Sequence, residues 1–238
     1  MNQDKKANFS VKNGIYNLDF RLSKLEKILL DEFSLRLEDI GFQYLSIPTS
    51  IDWETLSRQD VINLNETHYI VKVHCLAGSA EQGILEYFKD SEVPPLKIYA
   101  KNQCFRKEKE YRDLIHLKEF TKIEQYCFCN EDDWEENFDL ILNNAEEFLI
   151  DYGVTYRVIN VTTQDPGYHL KKYDIEIYSK IHGWVETHSC SYFGEEQTKR
   201  FGITGATHTI SNTGIATPRI LIPFTENEEL LKEALGEF

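Results

Sequence analysis

Between residues 19 and 40, apolar side chains return at Leu22, Leu25, Ile28, Leu29, Phe33, Leu37 and Ile40. This three-and-four spacing gathers them on one helical face. Gly41 follows, and glycine takes the left-handed backbone that closes a helix. Residues 42–47 are predicted as a strand, and Pro48 ends it because proline cannot donate to a ladder. HYIVKVHC at 68–75 alternates like a strand, and GSAEQG at 78–83 is predicted as a loop. Residues 96–106 and about 120–129 are predicted strands with a charged loop between them. Asp132, with Glu135 three residues on, is predicted to cap a helix. That helix carries Trp134, Phe138, Ile141, Leu142, Ala145, Phe148, Leu149 and Tyr152 on one face and ends at Gly153. Strands are then expected at 156–163, 173–179, 184–192 and 207–211. A last helix is expected from about Gly214, with Ile220, Leu221 and Phe224, followed by an acidic segment at 226–238. Residues 1–15 are predicted as a flexible tail, and 16–238 as one domain, since no repeat or linker interrupts them. Many strands with few helices predict an α+β fold with a largely antiparallel sheet. The strand–helix alternation of a dinucleotide fold is absent.

Composition narrows the function classes. The 238 residues are 41% hydrophobic and 13% aromatic, enough to bury a substantial core. Forty acidic against 26 basic side chains leave a net charge of −14. Such a surface repels phosphate backbones at long range, which disfavours a nucleic-acid-coating role. Cys75, Cys104, Cys127, Cys129 and Cys190 form no CxxC pair, and an odd count argues against a disulfide framework. Residues 1–14 lack the apolar stretch of a signal peptide, and no run approaches 18 apolar residues. A soluble cytoplasmic protein with no membrane partner is expected.

No Walker loop, GxGxxG or HExxH occurs. Instead, isolated charges sit inside sheet-forming segments. Arg106 and Glu108 end one strand, and His116, Phe120 and Glu124 follow at four-residue intervals. Glu186 and Ser189 share a later strand, and Arg219 lies between Pro218 and an apolar run. Taken singly, each except Arg219 reads as a solvated charge on an exposed sheet face. Arg219 occupies an awkward place for a charge without a partner. Taken together, two arginines and several carboxylates on a concave sheet suit a polyphosphate. Guanidinium forks grip its oxygens, and carboxylates hold magnesium. Phe120 offers a platform for a base.

The order of these segments resembles the catalytic core of class II aminoacyl-tRNA synthetases, and among them the seryl-tRNA synthetases. The helix ending at Ile40, with the strand through Phe42 to Pro48, looks like motif 1. FRKE at 105–108, a loop, then HLKEF at 116–120 fits motif 2, and TKIEQY at 121–126 continues the likeness. Ser79-Ala80-Glu81 sits where the family has its Thr-x-Glu substrate loop. KYDIE at 172–176 and ETHSCS at 186–191 look like its later strands. TISNTGIATPR at 209–219 is similar to motif 3.

The resemblance implies a six- or seven-stranded antiparallel sheet flanked by helices, and a homodimer. It implies that Arg106 binds the α-phosphate and the substrate carboxylate. Arg219 would hold the γ-phosphate, with His116 or Arg112 helping, and Glu108 would complete the ATP-binding set. Phe120 would stack on adenine against Arg219. Glu186 and Ser189 would coordinate Mg²⁺. Glu81 and Glu124 would receive the substrate ammonium and hydroxyl, beside Ser79, Ser211 and Thr213. Arg106 and Arg219 would carry catalysis, by positioning and electrostatics.

Departures from the family shape the expected acceptor. Fewer than 20 residues precede the motif 1 helix, so the long tRNA-gripping arm is expected to be absent. The loop from Glu108 to His116 is short, and the net charge is −14. These features predict transfer to a carrier-protein thiol or a small biosynthetic nucleophile rather than tRNA. Ser79 and Ser211 replace a threonine and an asparagine, while Glu124 and Thr213 favour serine or another small amino acid. Some carrier-protein-loading relatives use zinc, and Cys75, Cys104 and Cys190 around Glu108 are the candidate ligands here. No ligand spacing is visible, so buried thiols are expected and zinc is not. The leading expectation is an ATP- and Mg²⁺-dependent ligase that adenylates a small amino acid. The alternatives are a seryl-tRNA ligase served by a separate arm, and a non-catalytic sensor of an amino acid or nucleotide.

Overall fold

The computed structural model describes residues 8–59, 64–165 and 167–237. Its first long helix, α1 (Phe20–Asp39), buries Leu22, Leu25, Leu29, Leu30, Phe33 and Leu37. Asp19 caps it, accepting from the Leu22 amide at 2.9 Å. Three shorter helices were not visible as periodic patterns, since each spans too few turns: α2 (Trp53–Arg58), the turn Leu64–Thr67, and α5 (Glu196–Arg200). Between them lie α3 (Ala80–Phe88) and α4 (Trp134–Asp151), and α6 (Glu228–Leu235) closes the chain.

Seven strands build the main sheet: β1 (Gln43–Tyr44), β2 (Leu96–Phe105), β3 (Glu119–Cys129), β4 (Tyr156–Asn160), β5 (Lys171–Ser179), β6 (Gly183–Gly194) and β7 (His208–Thr217). Their order is β4-β5-β6-β7-β3-β2-β1. Every neighbouring pair is antiparallel except β1 with β2. This is the α+β fold with an antiparallel-dominated sheet flanked by helices.

Strand alternation divides the sheet into two faces. On one, Gln125 of β3 and Asn212 of β7 both donate to the Ile141 carbonyl of α4, at 3.1 and 2.7 Å. Ile123, Cys127, Ile210 and Ile215 join the same core, with α1 and α4 laid over it. Period two therefore turns Lys122 and Glu124 of β3, and Ser211 and Thr213 of β7, to the opposite face. Thr213 pairs with Glu124, and the register then slips by one residue at Gly214. Without that extra residue, Ile215 would leave the core. A Cβ on Gly214 would stand 2.2 Å from the Phe33 ring, so α1 approaches the strand over bare backbone.

Several expectations need correction. The flexible tail does not hold from residue 9 onward: Phe9–Lys12 pairs with Ile15–Leu18 around Asn13-Gly14, both at positive φ. Phe9 and Val11 pack on the main core, which holds this hairpin in place. The earlier part of the tail, residues 1–7, lies outside the described residues. The strand at 42–47 shrinks to β1. The strand at 68–75 is instead two short ones, Ile70–Val71 and His74–Leu76, because Lys72 turns back at φ 60°. The loop at 78–83 is the start of α3; Gly83 lies inside the helix, where the missing side chain leaves room for Ile47, 2.8 Å from where a Cβ would be. Asp132 and Glu135 do not cap α4: Asp133 stands there and accepts from the Asn130 amide instead. No helix begins at Gly214; β7 runs through it to Thr217, and helical turns start at Arg219–Leu221. The acidic end is helical, capped by Asn227 and packed through Leu231 and Leu235. Among the described residues, no helix is long and apolar enough to cross a membrane.

Candidate active site

The face opposite α4 carries two hollows that share a wall. The first spans about 600 Å³, part of it open to solvent, and is bounded by Arg106, Glu108, Phe120, Glu186, Ser189, Thr213 and Arg219. The second is larger, about 1650 Å³ and open to solvent, and contains Ser79, Glu81, Glu124 and Ser211. Arg106, Lys122, Glu186 and Ser189 line both. Residues separated by up to 140 positions thus meet because β3, β6 and β7 run side by side at the centre of the sheet.

Arg106 emerges where β2 ends. Its Nε donates to the Gly78 carbonyl at 2.9 Å, and its guanidinium lies 5.2 Å from the Phe120 ring centroid. Phe120 is thus faced by Arg106, and Arg219, expected across an adenine from it, lines the same hollow. Arg219 stands just past β7, clamped by two carbonyls: Nε and Nη2 donate to Ile115 at 3.1 and 2.6 Å, and Nη1 to Glu186 at 2.9 Å. Burial pulls its pKa down, opposed by the nearby Glu186 and Glu108 carboxylates. The two cations repel one another across the first hollow, which an anion between them would relieve.

His116 is not part of either lining, and neither is Arg112. Their backbones pair with each other in a tight turn, at 3.2 and 3.1 Å. The Arg112 side chain reaches His182 Nδ1 at 3.3 Å, while His182 Nε2 meets Asp113 at 3.0 Å. The loop after Glu108 is folded against the β5–β6 turn, which draws the Arg112 side chain away from the hollow.

In the larger hollow, Glu124 is buried beside Lys122, with 2.5 Å between ammonium and carboxylate. Burial pushes its carboxyl up to about 7; Lys122 opposes the rise and Glu81 adds to it. Lys122 also donates to Ser79 Oγ at 3.1 Å. Glu81 accepts from Gln59 at 3.0 Å, Gln197 at 2.9 Å and Ser211 at 3.0 Å. Burial raises its pKa too, against Lys122 and these three donors. Gln197 in turn accepts from Tyr126 and Thr209, both at 2.6 Å, so the floor of the hollow is one connected network.

Among the described residues, no three His, Cys, Asp or Glu side chains form a metal cage. Glu186 and Ser189 are joined by a residue the sequence reading missed, Asp174 of β5, which pairs directly with Ser189 across the sheet. Its pKa is raised by burial and then by Glu186, against Lys172 and the Ser189 hydroxyl, and its Oδ1 is buried without a partner. Two carboxylates and a hydroxyl are hard oxygen donors. They fit magnesium, which takes few protein ligands beside phosphate oxygens. The three thiols do not gather: Cys190 belongs to the main core, Cys75 to a separate cluster with Ile51, Leu56 and Ala77, and Cys104 alone is buried near Lys122, Arg106 and Glu124.

Lys122 and Gln197 were also missed. Lys122 had a signal, since it shares the period-two face of Glu124. Gln197 had none, lying in a helix of five residues.

Residues 62–228 match the family model for the tRNA synthetase class II core domain (G, H, P, S and T). The chain is 37% identical over 175 residues to serine–tRNA ligase of Deinococcus radiodurans, covering 65% of this chain and 41% of that protein. It is 30% identical over 233 residues to serine–tRNA ligase of Picrophilus torridus, covering 89% and 52%. The chain thus spans about half the length of the curated relatives it matches. Among solved structures, cytoplasmic serine–tRNA ligase from Naegleria fowleri in complex with AMP superposes with a TM-score of 0.84 at 24% identity, over 97% of this chain and 64% of that one. Seryl-tRNA synthetase from Pyrococcus horikoshii complexed with ATP gives 0.84 at 24% over 94% and 57%. At that identity the likeness is one of fold.

Proposed function

The chain belongs to the class II tRNA synthetase core domain family, and from that premise we propose that it adenylates a small amino acid, serine by preference, using ATP. The observation that supports this is the wall shared by the two hollows. A nucleotide in the first and an amino acid in the second would meet at Arg106. One carboxylate oxygen of the amino acid attacks the α-phosphorus, the bond to the β-phosphate oxygen breaks, and pyrophosphate leaves. No base is needed, because the nucleophile is already an anion. Arg106, fixed by Gly78 and Phe120, stabilises charge on the α-phosphoryl oxygens, and Arg219 holds the departing end. Glu108 completes the nucleotide site, and Phe120 supplies the surface for the base. Magnesium, held by Glu186, Ser189 and Asp174, would offset the charge on the pyrophosphate. Glu124 receives the substrate ammonium or hydroxyl beside Thr213, displacing Lys122. Glu81 already has three donors, so it orients Ser211 and acts through the floor of the hollow.

The relatives named above are serine–tRNA ligases, so tRNA is the acceptor we favour; the transfer to another nucleophile expected from sequence gains nothing from them. A carrier-protein thiol remains as a second reading on one observation, the net charge of −14. Pyrophosphate exchange with a panel of amino acids tests the first half-reaction: serine-dependent exchange is expected, and its absence with every small amino acid would overturn the proposal. Seryl-tRNA formed at a rate comparable to exchange would select tRNA. Exchange with no charged tRNA, joined to loading of a phosphopantetheinyl carrier, would select the second reading.

A further inference from the structure

Against the outer side of Arg106 lies a small hollow lined by Thr67, His68, Gln82, Lys107 and Glu108. In it, five residues are linked in a row by four contacts. His68 is buried, and its Nδ1 is 2.8 Å from Thr67 Oγ1. Its Nε2 is 3.3 Å from Gln82 Nε2. Gln82 Oε1 accepts from the Gly78 amide at 2.8 Å, and the Gly78 carbonyl accepts from Arg106 Nε at 2.9 Å.

The direction of each bond follows from the amide. Since Gln82 Oε1 is taken by an N–H, the group facing the imidazole is the Gln82 NH₂, which only donates. His68 Nε2 must therefore accept, and the ring is neutral with its proton on Nδ1, given to Thr67. Gly78 leaves no slack: a Cβ there would stand 3.1 Å from His68 Nε2.

We propose that His68 is a positioning residue for Arg106, acting through Gln82 and Gly78, and that only its neutral form holds the arginine in place. This rests on the functional reading above, which makes Arg106 the phosphate-binding group. Protonating Nε2 would set an N–H against the Gln82 NH₂, so the amide must turn, release the Gly78 N–H and let its carbonyl drift from Arg106. Burial first, and then the charged Arg106 and Lys107 facing the ring, push its pKa below the usual imidazole range, against an opposing rise from the contact with Gln82; Glu108 lines the same hollow. The device therefore weakens as pH falls, and only below that range.

Binding of ATP–Mg²⁺ without amino acid, measured by calorimetry, tests this apart from Glu124. At pH 8, His68→Gln, whose Oε1 replaces the ring acceptor, should bind as wild type does. His68→Leu should lose about tenfold, the scale of one lost hydrogen bond that orients a charged group. Gln82→Leu should lose as much, and the double variant no more than either. On acidification, wild type should weaken relative to His68→Gln. Additive losses, full affinity in His68→Leu, or parallel pH profiles would overturn the proposal. Imidazole ¹⁵N resonances give a readout free of ligand: a proton on Nδ1 and a depressed pKa are expected, and a proton on Nε2 overturns it. Failure of wild type to bind ATP would overturn the functional reading instead and leave these resonances to decide His68.

Discussion

Glu124 and Lys122 show how one side chain can be spent on function against stability. The Glu124 carboxyl is buried, and even an adjacent ammonium does not bring its pKa down to the ordinary value; it stands at about 7. Below that pH it gains a proton and can no longer accept from an ammonium as an anion. Serine kcat/KM in exchange should therefore fall with an acid limb near pH 7, and Glu124→Gln should remove the limb. The same variant should lower kcat/KM by about 30-fold, one charge-assisted hydrogen bond. The sign for stability is opposite. The folded state binds this proton more tightly than the unfolded chain, so between pH 7 and pH 4.5 stability rises as pH falls. At pH 8, Glu124→Gln should be at least as stable to urea as wild type. A variant both less stable and fully active would contradict the role given to this residue.

At the level of elements, β7 joins the two faces of the sheet. Its outward residues Ser211 and Thr213 belong to the site, and its inward Asn212 and Ile215 to the core. The bulge at Gly214 makes this alternation possible, and Phe33 of α1 seals the gap left by the missing Cβ. Gly214→Ala should destabilise by about 1–3 kcal/mol, the usual effect of overpacking, measured as a shift in urea midpoint. Phe33→Leu should recover part of that loss in the double variant, and additive losses would mean the clash lies elsewhere. The same strand shows what was legible in the sequence. Arg106, Phe120, Glu186 and Arg219 stood out as charges or rings in an ordered series, and the structure brings them around one hollow. The end of β7 did not, since Gly214 reads as a breaker and the apolar residues after it fit a helix; only pairing with β3 decides the matter. His68, Gln82 and Gln197 left no trace, because neutral polar residues in short segments acquire meaning only from distant partners.

For the molecule as a whole, the motif 1 likeness and the surface of α1 bear on assembly. Most of that helix's apolar side chains serve its own core, but Phe20 is 96% exposed and Leu35 59% exposed. We expect a homodimer built on this helix, seen by sedimentation at micromolar concentration, with Leu35→Asp shifting it toward monomer. A wild-type monomer would exclude it. The two hollows have a consequence of their own. An adenylate would fill both at once, its halves joined by the bond made at Arg106. Tethered groups rebind one another's sites at high effective concentration, so the product would dissociate far more slowly than either substrate. On the proposed function, such a protein would be a custodian of a hydrolysable anhydride as well as its maker, keeping it between the two hollows until an acceptor takes the acyl group.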